Sequence, residues 1–76
     1  MDSVEYNGET YNARHGGPFD RGSADSYYGR KFRPHYFLKD TYNSPEIELT
    51  PEDGKWLEYE AGYLWNETFG DKKNWQ

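Results

Sequence analysis

A short segment of the chain alternates positive charges with rings, and it is the best candidate for chemistry. It reads Arg30-Lys31-Phe32-Arg33-Pro34-His35-Tyr36. Cations attract phosphate groups and rings stack on unpaired bases, which is how single-stranded or looped RNA is commonly held. The pattern therefore predicts an RNA-contacting or partner-contacting surface. The residues expected on it are Arg21, Tyr28, Arg30, Lys31, Arg33, His35 and Tyr36.

The same segment also suits a purely structural role. Phe32 and Tyr36 are large enough to belong to a core, where rings bury a large area. Arg30 and Arg33 can pair with the acidic side chains of the second predicted helix instead of with a ligand. The sequence leaves both interpretations open.

Negative charge concentrates in the last third of the chain. Residues 45–76 hold eight acidic side chains against three lysines. Such a surface can imitate phosphates and occupy a nucleic-acid-binding enzyme, or it can be an ordinary solvated helix face. The candidates for this alternative are Glu52, Asp53, Glu58, Glu60 and Glu67.

Catalysis and metal binding find little support in the residue types. His15 and His35 are the two histidines, and Asp20, Asp25 or Glu60 would have to complete an acid–base pair. No nucleophile–base spacing, phosphate-binding glycine loop or nucleotide fingerprint accompanies them. The histidines also lack the short-range spacing of zinc ligands. We therefore expect no enzymatic activity, no cofactor and no metal.

Two helices are predicted to position the basic segment. The first spans residues 18–28, with Gly17 at the N-cap, Pro18 at the first position and Gly29 as the left-handed stop. Gly22 and Ser26 share one small face of this helix. That face lets a second helix come close.

The second helix is predicted to begin at Thr50-Pro51, with acids in its first turn, and to stop at Gly70. Gly62 lies inside it despite its poor helix propensity, and backbone contact with the Gly22 and Ser26 face is the simplest reason. Between the helices, residues 36–38 and 46–49 can pair as a small hairpin around the turn at 39–44.

The chain divides into three parts. Residues 1–16 lack an apolar period and are rich in polar residues, so they predict a flexible arm, with a strand or arm that folds onto a partner as the alternative. Residues 17–70 form one small domain. Residues 71–76 are charged and predict a frayed tail.

The glycine and arginine positions carry a family resemblance. Arg21-Gly22, Gly29-Arg30 and Pro34-His35-Tyr36, with Glu60-Ala61-Gly62-Tyr63 further on, resemble the pattern of the ribosome modulation factor family. That family consists of very small two-helix proteins that bind the bacterial small ribosomal subunit. The block from residue 15 to residue 30 is also similar to short proteins of tailed phages. The resemblance implies a host-directed protein that binds the ribosome.

Length and composition set the remaining limits. A chain of 76 residues with net charge −5 and no cysteine has room for one small domain without disulfides. No apolar run is long enough to cross a bilayer, and no signal peptide is visible, so we expect a cytoplasmic protein. The expected fold is mainly α, a two-helix domain with a long aromatic loop or short β-hairpin between the helices. The expected function is non-catalytic binding of a host ribosome or RNA, with an acidic inhibitor of a host nucleic-acid enzyme as the alternative.

Overall fold

The computed structural model describes residues 3–39 and 44–70. In chain order its elements are β1 (Ser3–Tyr6), β2 (Glu9–Asn12), α1 (Pro18–Tyr27), β3 (His35–Phe37), β4 (Glu46–Glu48) and α2 (Gly54–Phe69). Helices account for about 41% and strands for about 22% of the structure. The expectation of a mainly α fold is wrong, because two antiparallel hairpins, β1–β2 and β3–β4, make this a mixed α/β fold.

The ends of α1 follow from local chemistry. Gly17 is the N-cap, and Pro18 occupies the first turn, where its missing N–H is not needed. At the other end Gly29 takes a positive φ of 68°, the Gly29 N–H bonds the Ser26 carbonyl at 3.1 Å, and the Arg30 N–H bonds the Asp25 carbonyl at 2.8 Å. This pair of bonds is a Schellman motif, which reverses the chain direction at the start of the basic segment.

The start of α2 lies further along the chain than the sequence predicts. Thr50 forms a turn with Asp53, whose N–H donates to the Thr50 carbonyl at 2.9 Å. Asp53 is the N-cap, and its carboxylate accepts from the Lys55 N–H at 2.9 Å. An aspartate cap competes well with a threonine cap, so the helix begins at Gly54. It ends before Gly70, as expected.

The two helices cross with almost no space between their backbones. A Cβ placed on Gly22 would press on the carbonyl oxygen of Tyr59 and lie 2.8 Å from the amide nitrogen of Tyr63. A Cβ on Gly62 would press on the carbonyl oxygen of Phe19 in the same way. The structure thus places the expected helix contact at Gly22 and Gly62.

A buried polar cluster extends this contact toward the helix ends. Ser26 is fully buried, and its hydroxyl donates to the Glu67 carboxylate at 2.5 Å. The Asn66 amide donates to the same hydroxyl at 3.0 Å. Ser26, which the sequence assigns to the small face of α1, therefore contacts α2 through hydrogen bonds as well as through its size.

The β3–β4 hairpin lies between the helices in the sequence. His35 pairs with Glu48, and Phe37 pairs with Glu46. The predicted pairing of residues 36–38 with 46–49 is therefore present, with its first strand one residue earlier. The hairpin contacts the turn before α1 through the Phe37 N–H, which donates to the Gly16 carbonyl at 2.7 Å. The turn chemistry assigned to residues 40–43 lies outside the described residues.

The N-terminal hairpin is a feature that the sequence analysis did not predict. Its turn is Asn7-Gly8, with φ of 52° and 79°. Asn-Gly is the preferred pair for a type I′ turn, whose twist matches that of the flanking strands. Tyr11 stacks on Phe19 of α1 with ring centroids 5.4 Å apart. The segment assigned to a flexible arm therefore contains two strands and a contact with the first helix.

The interior is small and mixed in polarity. Among the described residues, the buried hydrophobic side chains are Phe19, Phe37, Leu49, Tyr59 and Ala61. The buried polar ones are Arg21, Asp25, Ser26, His35 and Asn66. Within residues 3–39 and 44–70, neither helix has the length and hydrophobicity needed to cross a membrane. The predicted frayed tail at 71–76 lies outside the described part.

Candidate functional site

A cleft of about 430 Å³ opens where α1, the loop after it and the β3–β4 hairpin meet. Its lining residues are Arg21, Asp25, Arg30, Lys31, Arg33, His35, Phe37 and Glu46. Five of the seven residues predicted to contact RNA or a partner are in this set. The structure therefore brings together charges that are spread over fifteen positions of the sequence.

The loop at residues 30–34 is held by aromatic packing on one side. Phe32 contacts three rings of α2 edge-on, with centroids 5.5 Å from Trp56 and 5.3 Å from both Tyr59 and Tyr63. Its neighbours Lys31 and Arg33 line the cleft instead. Phe32 therefore anchors the loop through ring contacts, but it is 40% exposed and is not the core residue that the structural interpretation proposes. The cations beside it remain at the cleft.

The floor of the cleft is a hydrogen-bonded network centred on Tyr59. The Tyr59 hydroxyl donates to the Asp25 carboxylate, and it accepts from the Arg33 backbone N–H at 3.2 Å. Asp25 is 4% exposed and Tyr59 is fully buried. A carboxylate buried this deeply needs such a donor, because burying an unpaired charge is costly. The network also fixes the position of Arg33 in the loop.

His35 completes the floor beside this network. Its Nδ1 lies 2.6 Å from the Arg33 carbonyl oxygen, and its Nε2 lies 3.5 Å from the Arg21 Nε. A carbonyl can only accept and a guanidinium can only donate. The tautomer that satisfies both contacts is the neutral ring with its hydrogen on Nδ1. The Arg21 guanidinium also lies over the Phe37 ring, 5.6 Å from its centroid.

The pKa of Tyr59 makes the floor sensitive to alkaline pH. Burial raises this pKa well above its ordinary value of 10.0, and the hydrogen bond to Asp25 raises it further. Above about pH 10 the unfolded chain loses the Tyr59 proton while the folded chain keeps it. The folded state then binds more protons, so the free energy of unfolding should fall as pH rises beyond 10, by up to about 1.4 kcal/mol per pH unit.

Urea unfolding followed at intervals from pH 8 to pH 11 checks this expectation. The Tyr59→Phe variant is the control, since it lacks the hydroxyl and should lose much less stability over the same alkaline range. Equal alkaline losses in the two proteins would show that Tyr59 is not responsible.

The mouth of the cleft contains two ion pairs. Arg33 forks onto the Glu46 carboxylate, with Nη1–Oε2 of 2.7 Å and Nη2–Oε1 of 3.3 Å. This hydrogen bond holds the pKa of Glu46 below its usual value. Arg30 Nη1 lies 3.5 Å from Asp25 Oδ1, and the Arg30 guanidinium also covers the Tyr28 ring at 4.6 Å.

These pairs do not remove the cations from the surface. The side chains of Arg30 and Arg33 remain 47% and 54% exposed. Neither pairs with α2, as the structural interpretation proposes, because their partners lie on α1 and β4. Lys31 is exposed, and it has no ion pair or hydrogen bond with any residue in the described part of the chain.

Two of the predicted contact residues lie outside the cleft lining. Tyr36 sits between His35 and Phe37 on β3, so its side chain points to the opposite face of the hairpin. There the Lys55 ammonium lies 5.9 Å from its ring centroid. Tyr28 is the C-cap of α1 and is 36% exposed, next to the mouth beneath Arg30.

The acidic candidates do not form one unengaged face. Asp53 caps α2 and Glu67 accepts from Ser26. Glu52 is exposed in the turn before the helix, whereas Glu58 and Glu60 are half-buried within it. Burial and the charge of Glu9 raise the pKa of Tyr11, and the charges of Glu58 and Glu60 add to this shift.

Sequence reasoning did not place the anionic and buried members in the cleft. It named Asp25 only as a possible acid–base partner of a histidine, and Asp25 Oδ2 lies 3.8 Å from His35 Nδ1. Asp25, Glu46 and Phe37 line the cleft, and Tyr59 supports its floor. One signal was available, since Arg21 and Asp25 are four residues apart and share a helix face. In residues 3–39 and 44–70, no three His, Asp or Glu side chains come together in a way that could hold a metal ion.

Comparisons of the chain with protein-family models, with curated proteins and with solved structures find no match.

Proposed function

We propose that this protein is a non-catalytic modulator that binds RNA through the cleft, with a host ribosome as the first-choice partner. The observation that carries the proposal is the convergence of Arg21, Arg30, Lys31 and Arg33 on one open cleft. Arginine and lysine are the side chains that bind phosphate groups, and arginine binds them with two parallel hydrogen bonds.

The charge distribution favours a local contact over a broad electrostatic one. The chain as a whole carries −5, so it repels a polyanion at long range. Non-specific binding to duplexes depends on neutralising many phosphates at once, and this chain has few cations for that purpose. A short stretch of unpaired RNA presents only a few phosphates at a time and suits a single cationic cleft.

An exposed ring at the mouth of the cleft supports single-stranded RNA as the ligand. Tyr28 is 36% exposed and lies beneath the Arg30 guanidinium. Unpaired bases stack on such rings with little dependence on base identity. A duplex would keep its bases stacked inside and could not use them.

The floor network supports binding rather than catalysis. Asp25 and Tyr59 satisfy each other, and His35 is held by Arg33 and Arg21. A general base needs access to a substrate proton, and these groups are almost completely buried. The resemblance to the ribosome modulation factor family makes ribosomal RNA the first choice, and a phage origin would place the protein in the host cytoplasm.

Charge reversal at Lys31 tests the proposal. Lys31 has no partner among the described residues, so Lys31→Glu should fold normally while placing a negative charge at the cleft. We expect about a tenfold loss of affinity for a single-stranded RNA of about ten nucleotides, because a phosphate contact becomes a repulsion. Fluorescence anisotropy at two salt concentrations measures it.

The matched control is Lys55→Glu, which changes the net charge equally. Lys55 lies in the first turn of α2, where an acidic side chain is favourable, and it does not line the cleft. Its affinity for RNA should change less than about twofold. Equal losses in both variants would reject the cleft as the binding site. Loss of binding to a host nucleic-acid enzyme on reversal of Glu52 and Glu58 would instead favour the acidic alternative.

A further inference from the structure

The cationic groups of the cleft lie at two depths. Arg21 is 7% exposed and lies on the floor beside the neutral His35 ring, whereas Arg30, Lys31 and Arg33 are exposed at the mouth. A nucleotide in the middle of a strand has its chain continuing in both directions, which keeps its phosphate at the mouth of so small a cleft. The phosphate at the end of an RNA strand has no such restriction, so it can reach the buried Arg21.

The net charge of the residues that line the cleft also matches the charge of a terminal phosphate on an RNA strand. The lining residues include four cations, Arg21, Arg30, Lys31 and Arg33, and two carboxylates, Asp25 and Glu46. The lining therefore contains two more positive than negative side chains. A phosphate monoester carries about −1.5 to −2 at neutral pH, whereas an internal phosphodiester carries a single negative charge. The monoester is the closer match.

The Arg33–Glu46 pair shows how Arg33 can bind two oxygens of one anion. Two guanidinium nitrogens bind two oxygens of one anion at the cleft, at 2.7 and 3.3 Å. A phosphate group presents two oxygens to the same fork. The Glu46 side chain is 37% exposed and has room to leave. Glu46 thus occupies a position on Arg33 that a phosphate can take.

We propose that the cleft captures the terminal phosphate of a single-stranded RNA. Arg33 exchanges the Glu46 carboxylate for two phosphate oxygens, Lys31 and Arg30 contact the phosphate at the mouth, and Arg21 faces it from the floor. The proposal rests on the proposed function and specifies its ligand. Glu46 acts as an internal competitor for Arg33, because the terminal phosphate must displace its carboxylate before the phosphate can bind there.

The test compares three RNAs of one sequence with the full chain: one with a 5′-phosphate, one with a 3′-phosphate and one with hydroxyls at both ends. Binding is measured by fluorescence anisotropy, with the dye attached to an internal uridine. We expect at least one phosphorylated RNA to bind about tenfold more tightly than the hydroxyl RNA. Glu46→Gln should raise the affinity for that RNA by about threefold or more and leave the hydroxyl RNA nearly unchanged.

A parallel calorimetric titration with uridine monophosphate and uridine separates this inference from the proposed function. Equal binding of all three RNAs would overturn the end-capture proposal and leave RNA binding intact. Binding of the monophosphate without binding of any RNA would retain the phosphate site but reject RNA as its ligand. Absence of binding in every arm would reject both proposals.

Discussion

Alanine in place of Gly62 is expected to unfold most of the protein. The new Cβ would press on the Phe19 carbonyl oxygen and lie 2.8 Å from its carbonyl carbon and 2.9 Å from its Cα. These are backbone atoms of α1, so relief requires the two helices to separate. We expect a loss of about 3 kcal/mol or more, the upper end of what overpacking costs. A domain this small has little stability in reserve.

Urea unfolding monitored by tryptophan fluorescence measures this effect, since Trp65 packs against Phe19 at 5.7 Å. Gly22→Ala should behave similarly, because its Cβ would meet the backbone of α2. Gly54→Ala is the matched control. Nothing lies within 4 Å of a Cβ at Gly54, and alanine is the better helix former there. If Gly62→Ala and Gly54→Ala are equally stable, the close helix crossing is wrong.

Removing the Tyr59 hydroxyl is expected to cost about 2 kcal/mol, because hydrogen bonds to charged groups contribute more than neutral ones. Tyr59→Phe keeps the ring and its contacts with Phe32 and His35. The substitution removes the hydroxyl that donates a hydrogen bond to the buried Asp25 carboxylate and accepts one from the Arg33 N–H. Urea unfolding at neutral pH measures the loss.

Tyr63→Phe provides the comparison on the same helix. The Tyr63 hydroxyl donates to the Arg30 carbonyl at 3.1 Å in an exposed position, where water can replace it. Its loss should cost less than about 1 kcal/mol. A Tyr59→Phe protein as stable as Tyr63→Phe would mean that the buried network contributes little to the fold.

The helix contact could be predicted from the sequence because it depends on local rules. Gly62 interrupts a good helix-forming stretch, and a glycine there costs stability unless something needs the space. Gly17, Pro18 and Gly29 likewise fix the ends of α1 through their own backbone preferences. The predicted start of α2 at Thr50 was wrong because local rules cannot choose between two good N-caps. Asp53 offers an equally good cap three residues later.

The N-terminal hairpin was missed because a polar composition outweighed its turn signal. Asn7-Gly8 between Val4, Tyr6 and Tyr11 is typical of a two-residue hairpin. The strands show only a weak apolar alternation, and their stability comes partly from Tyr11 on Phe19. Contacts between distant segments of this kind cannot be deduced from local propensity. The mainly α expectation failed for this reason.

The cations of the cleft could be predicted from the sequence, but its carboxylates could not. Arg30, Lys31 and Arg33 are close in sequence, so their common location follows from the chain itself. Glu46 reaches Arg33 only because β3 and β4 pair in the observed register. Asp25 reaches Tyr59 only because α1 crosses α2 at the glycines. The identity of an anion's partner depends on tertiary structure.

The mixed polarity of the interior has a thermodynamic consequence. In the described part of the chain, five buried side chains are polar or charged, as many as the buried hydrophobic ones. Exposure of apolar surface raises the heat capacity on unfolding, whereas exposure of polar surface lowers it. The two contributions partly cancel in this molecule. Its stability should therefore vary less with temperature than that of a domain of equal length with an apolar core. A curve of stability against temperature this flat has no pronounced maximum. The cleft should therefore stay folded over a wide range of temperature.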